Sequence, residues 1–211
     1  MRSCTYLILC LLWFSCGQRE ETENRSFEED EATQNVEVSN PTSVSEIKQA
    51  YAATITKLES GALDSVSLKY DCYNERSGTI TYFTDDGKLS MITHSYNEYD
   101  HYSATDQYFI SDSNLFFIHL KGISWSFVSE KNAAEGATQD NFTEQRMYIV
   151  DNSPILCLEK KYTTRSDRPN EVDGESVSNK EVECQSIQAI SKDLDRLIAF
   201  KNNPNKDCLE K

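Results

Sequence analysis

The sequence predicts an α+β fold: an antiparallel β-meander of about seven strands, with an N-terminal and a C-terminal amphipathic helix packed on one sheet face. Three observations predict it. A pattern of aromatic, turn and aliphatic residues recurs three times in the middle of the chain, one apolar stripe at helical spacing precedes it, and a second follows it. With 211 residues, 38% hydrophobic and 10% aromatic, the chain carries enough apolar material for one folded domain and too much for a wholly disordered polymer.

The chain opens with Arg2 and an apolar run from Tyr6 to Phe14, followed by Ser15-Cys16-Gly17. A basic residue, a short apolar core and a small residue before a cut are the parts of a secretory signal, and the run is too short to span a bilayer. Leu12-Trp13-Phe14-Ser15-Cys16-Gly17 resembles the lipobox of bacterial lipoproteins, in the Phe-Ser-Cys-Gly form common in Bacteroidota, with Trp13 where that motif usually has Leu. The resemblance implies a signal peptide over residues 1–15, cleavage before Cys16, and lipid on the Cys16 sulfur and new amino group. Each buried methylene contributes roughly 0.8 kcal/mol, so the two or more chains of such an anchor hold firmly. Gln18-Arg19-Glu20-Glu21 resembles the acidic export signal that moves these lipoproteins to the cell surface. Residues 16–40 carry eight acids and two bases. That composition cannot bury enough apolar area to offset backbone ordering, so it reads as an acidic disordered tether ahead of a single domain over 41–211.

Within the domain, Ser43-Val44-Ser45-Glu46 has capping-box spacing, and Val44, Ile47, Tyr51, Ile55 and Leu58 follow at helical intervals up to Gly61. This predicts a helix over about 44–60. Val66, Leu68, Tyr70 and Cys72 then alternate with polar residues, as a half-buried strand does. The repeat follows. Tyr82, Tyr108 and Tyr148 each precede an aliphatic by seven residues (Leu89, Leu115, Ile155), and a second aliphatic lies three further on (Ile92, Ile118, Leu158). Asp, Asn, Ser and Gly fill the middle each time, which predicts three β-hairpins in a meander, with Ser129–Phe142 as an exposed loop. Ser178-Asn179-Lys180-Glu181 repeats the capping-box spacing ahead of Cys184, Ile187, Ile190, Leu194, Leu197 and Phe200, the stripe of a C-terminal helix.

Of seven cysteines, Cys4 and Cys10 leave with the signal peptide and Cys16 takes lipid. Cys72, Cys157, Cys184 and Cys208 are left, an even number suited to disulfides in an oxidising compartment. Three pairings are open. A helix from 184 to about 201 advances roughly 25 Å, and the chain back to Cys208 reaches at most about that far, which strains Cys184–Cys208. Cys72 and Cys184 both fall on expected core faces, which makes Cys72–Cys184 the preferred pair and leaves Cys157 and Cys208 either as a second pair or both reduced. No two cysteines have the close spacing of a zinc site.

The formal charge of −14 argues against nucleic acid, whose binding needs a basic patch. Residues 41–211 account for 27 acids and 18 bases. No nucleophile elbow, glycine-rich phosphate loop or His-Glu-x-x-His helix occurs, so no catalytic or cofactor residue is assigned. Two candidate sites stand out. His94 and His101 flank Tyr96-Asn97-Glu98-Tyr99-Asp100, a grouping that suits metal binding or acid–base work in an envelope hydrolase. Tyr96, Tyr99 and Tyr102 offer contact area with polar tips, which suits binding of a protein or glycan, and the same residues suit a cross-strand ladder. The arrangement as a whole is similar to small Bacteroidota lipoproteins of unassigned function with repeated Tyr-Phe-turn-Leu hairpins. That resemblance implies an address, the outer membrane through Cys16, facing the periplasm or the cell surface; with no catalytic motif in the sequence, the expectation is a non-enzymatic binding domain that needs no cofactor.

Overall fold

The computed structural model describes residues 40–169, 171–204 and 208–209. The elements follow in the order α1 (Val44–Glu59), β1 (Asp64–Cys72), β2 (Arg76–Asp85), β3 (Lys88–Glu98), β4 (Tyr102–Ser111), β5 (Asn114–Phe127), β6 (Thr138–Val150), β7 (Ser153–Arg165), β8 (Lys180–Glu181) and α2 (Ile187–Asn202), with a single 3₁₀ turn at Gly174–Ser176. Each strand pairs antiparallel with the next, from β1 to β8, so the sheet is one open meander. The expected signal peptide, Cys16 and the tether up to residue 39 lie outside the described residues. Among those described, no helix is long and apolar enough to cross a membrane.

The three hairpins are β2–β3, β4–β5 and β6–β7. Their turns, Asp86-Gly87, Asp112-Ser113 and Asp151-Asn152, have positive φ at both positions. That two-residue turn matches the right-handed twist of the flanking strands. Just before each turn the register shifts, after Phe83, Phe109 and Tyr148. Counted from the turns, Tyr148 is therefore the partner of Phe83 and Phe109, while Met147 matches Tyr82 and Tyr108. The third repeat sits one residue away from the tyrosine-based alignment. A one-residue slip exchanges the two faces of a strand. Accordingly Ile155 is 47% exposed, and Cys157 fills the buried place held by Ile92 and Ile118. The loop after β5 is also shorter than expected, because β6 begins at Thr138 and leaves only 128–137 outside the strands.

Ser43 caps α1 by accepting from the Glu46 amide at 3.3 Å, while the Glu46 carboxylate accepts from the Thr42 amide at 2.7 Å and the Thr42 hydroxyl at 2.9 Å. The box thus closes one residue further out than its spacing implies. The α1 stripe of Val44, Ile47, Tyr51, Ile55 and Leu58 packs with Met91, Phe109, Phe116, Phe117 and Tyr148. Ile47 is wholly buried, which contributes about 2–3 kcal/mol. On α2, Ile190, Leu197 and Phe200 pack with Tyr70, Ile80, Tyr82, Ile92, Tyr108, Ile118 and Met147.

Neighbouring strand residues serve different helices: Tyr82 and Phe83, Tyr108 and Phe109, Ile118 and Phe117, Met147 and Tyr148. Successive side chains of a strand point to opposite faces. The two helices therefore cover opposite faces of the sheet, and the expectation of one shared face is corrected.

The C-terminal segment departs most from its pattern. Ser178-Asn179-Lys180-Glu181 caps no helix. Lys180 and Glu181 instead pair with Glu159 and Leu158 at the edge of β7, and the Val182 amide donates to the Cys157 carbonyl at 3.0 Å. This path sets Cys184 beside Cys157 and far from Cys72, which ends the strand at the opposite edge. All four cysteines are in disulfides, but as Cys72–Cys208 and Cys157–Cys184. The preferred Cys72–Cys184 pairing, and Cys157–Cys208 with it, is replaced because residues 180–184 run extended along a strand edge rather than along a helix.

Candidate functional site

At the sheet end away from the three hairpin turns, exposed apolar groups gather. Tyr73, Tyr99, Tyr102, Ile123 and Phe127 all lie there, in or beside the β1–β2 and β3–β4 turns and the end of β5. Tyr99, Tyr102 and Ile123 border a cleft of about 490 Å³ there. Its floor is a row of side chains in register across four strands: Ser77, Asn97, Ser103 and Ile123. These share strand parity with Phe109 and Phe117, so the cleft occupies the α1 face beyond the reach of α1.

The rim is held by hydrogen bonds, each with at least one backbone partner. The Tyr99 amide donates to the Glu75 carbonyl at 2.7 Å, tying the two turns together. The Asn74 amide donates to Asp71 Oδ1 at 2.9 Å. On the far wall the Trp125 amide donates to the His101 carbonyl at 3.0 Å, and Trp125 Nε1 donates to the Asp100 carbonyl. The His101 ring lies 4.3 Å from the Trp125 ring. Walls fixed in this way lose little entropy when a ligand arrives.

Three residues of these two turns, Tyr73, Asn74 and Tyr99, are left-handed, a conformation that asparagine tolerates and tyrosine does not. Tyr73 has φ +55° and Tyr99 φ +51°, a left-handed region that costs an L-residue with a Cβ about 1 kcal/mol or more. Their rings are 84% and 67% exposed and so gain little from packing. Backbone strain without compensating burial concentrates at sites that bind.

The opposite face of the same sheet end is a buried polar layer. His94, 2% exposed, has its Nε2 2.8 Å from the Tyr70 hydroxyl. Burial, with the Arg76 and Arg196 charges, holds its pKa down at about 3. His94 stacks on Tyr96 at 4.5 Å, and Tyr96 lies 6.1 Å from Tyr102. Arg76 sits 4.6 Å over the Tyr96 ring and forms an ion pair with Glu98 at 3.2 Å. Burial raises the Asp106 carboxyl to about 6, against the lowering effect of a hydrogen bond with Tyr96. Tyr70 and Tyr102 cover the strand glycines Gly78 and Gly122, where a Cβ would come within 2.7 and 2.8 Å of their hydroxyl oxygens. A tyrosine over a strand glycine replaces the missing side chain.

Elsewhere, on the α1 face, Glu144 collects His119 at 2.8 Å, Arg146, and Lys160 at 3.4 Å. Burial alone would raise its pKa, but hydrogen bonds from His119 and Arg146 bring it to about 2. Among the described residues no group of three His, Cys, Asp or Glu side chains is placed to hold a metal.

The candidates from sequence therefore divide. Tyr96 and Tyr102 pack as a cross-strand pair on the α2 face, Tyr102 also bordering the cleft, and Tyr99 stands at the rim. His94 is in the core, whereas His101 is at the cleft. Trp125, Asn74, Glu75 and Asp140 also line the cleft and were not singled out by sequence. Trp125 carried a signal nonetheless, as the only tryptophan after the N-terminal apolar run. In comparisons with known proteins, no family model, curated protein or solved structure matches the chain.

Proposed function

We propose that this protein is a non-enzymatic binding module of the cell envelope, anchored to the outer membrane by lipid on Cys16, that offers the cleft beside Tyr99 and Trp125 to a protein or glycan partner. The observation carrying this reading is the exposed, left-handed Tyr99 on the pre-ordered rim of the cleft, with the left-handed Tyr73 on the adjoining turn. Two disulfides support an extracytoplasmic location.

Cys16→Ala abolishes incorporation of labelled fatty acid and releases the protein from the membrane fraction. Protease digestion of intact cells degrades the domain if it faces outward and spares it if it faces the periplasm. Tyr99→Ala removes an exposed ring without touching the core, so it abolishes partner capture while the melting temperature holds. Retained capture by this variant refutes the cleft. The reading as a hydrolase or metal enzyme through His94 and His101 has less support, because the two imidazoles occupy different faces of the sheet.

A further inference from the structure

We infer that the cleft takes an extended peptide segment of a partner protein, with a lysine or arginine seated at the aromatic end and an acidic side chain about four residues along. This rests on the reading of the cleft as a binding site and deepens it. Glu75, Asp100 and Asp140 line the cleft, and no cation among the described residues pairs with them. Arg76, the remaining charged residue of the lining, is engaged by Glu98 and the Tyr96 ring. Carboxylates beside the Tyr99 and Trp125 rings suit a cation, which gains both Coulombic and cation–π attraction. A neutral sugar would stack on the same rings and leave those carboxylates desolvated without a counter-charge.

The charge then changes sign along the strands. A second hollow of about 590 Å³ shares Ser77, Asn97, Ser103 and Ile123 with the first and carries Lys69 and Lys121. Lys121 stands opposite Glu144 across β5 and β6, but that carboxylate is engaged by His119, Arg146 and Lys160. Lys121 is four residues before Trp125 on β5, a distance of roughly 13 Å at strand rise. An extended peptide covers that length in about four residues. Between the two ends the floor offers hydroxyl and amide groups to a peptide main chain. Acid, neutral and base therefore follow in order, complementary to a segment with base, neutral and acid.

The test is fluorescence anisotropy with the full-length chain in detergent and dye-labelled pentapeptides, capped at both ends. The probe is Lys-Gly-Ser-Gly-Glu, compared with analogues carrying Gln in place of Lys, of Glu, or of both, and with chitotetraose as the neutral glycan. Expected is saturable binding of the probe, about tenfold stronger than that of the Gln-for-Lys analogue. Raised salt weakens it, and Asp140→Asn reduces the preference for Lys. Equal binding of all four peptides, lost in Tyr99→Ala, overturns the charge pattern and leaves the cleft standing. Chitotetraose binding through Tyr99 without peptide binding overturns the peptide and again keeps the cleft. Binding of no probe overturns the inference, and the cleft is then judged by capture of the cellular partner by wild type and Tyr99→Ala.

Discussion

The hydroxyl of Tyr82 on β2 donates to the backbone carbonyl of Leu197 on α2 at 2.6 Å, a buried bond that joins positions 115 residues apart. The same carbonyl belongs to the ladder of α2, so removing the hydroxyl costs the added bond and strands no acceptor. Tyr82→Phe is expected to lower stability by about 1 kcal/mol. In a domain of this size that is a fall of about 3 °C in Tm, read by calorimetry.

Cys72–Cys208 closes 136 residues and Cys157–Cys184 closes 27. Chain entropy assigns them about 5 and about 3.5 kcal/mol respectively. Cys72→Ser with Cys208→Ser should therefore destabilise more than Cys157→Ser with Cys184→Ser in urea titrations under non-reducing conditions. A peptide map of the unreduced protein should yield these two cross-links and no 72–184 fragment.

His94 and Asp106 set opposing pH dependences. His94, near 3 in the fold, binds fewer protons than its unfolded counterpart between about pH 6.5 and 3, so its contribution is lost on acidification. Asp106, near 6, binds more protons in the fold between about pH 6 and 4, so its contribution grows on acidification. Asp106→Asn removes the second effect only. The variant should be more stable than wild type at pH 7, on the order of 2 kcal/mol, and should lose stability more steeply from pH 6 to 4 in denaturant midpoints taken across pH.

Tyr99 exchanges stability for display. Tyr99→Gly relieves the left-handed strain at φ +51° and is expected to raise stability by about 0.5 kcal/mol after the entropy of glycine is counted. Partner binding should fall in the same variant. A destabilised Tyr99→Gly in urea titration would contradict the strain assigned to this turn.

Much of the fold was legible because its signals are local. Two-residue turns opened by Asp86, Asp112 and Asp151 fix three hairpins, and Ser43 with the stripe from Val44 to Leu58 fixes α1. The remainder depends on context. Tyr148 has the same residue type as Tyr82 and Tyr108, yet the turn places it one position away, and only the aspartate spacing of 26 and 39 residues carries the register. Ser178 to Glu181 has cap spacing, but its last two residues pair with the edge of β7 as β8. Paired apolar neighbours such as Tyr82-Phe83 and Tyr108-Phe109 signalled burial on both faces. The cleft was half legible: Tyr99 and His101 drew attention through composition, whereas Glu75, Asp140 and Trp125 reach it from turns and strands distant in sequence.

Between its two bridges, Cys184 to β7 and Cys208 to β1, the segment bearing α2 is a covalent strap across one face, fastened near both margins of the meander. A meander is a linear array whose outermost strands hold only one neighbour apiece, or nearly so, and such margins ordinarily peel before the centre yields. With both margins bolted to one strap, peeling either strand must stretch or undock α2. The array then opens as a unit, and a protease nick within the strap leaves both halves attached.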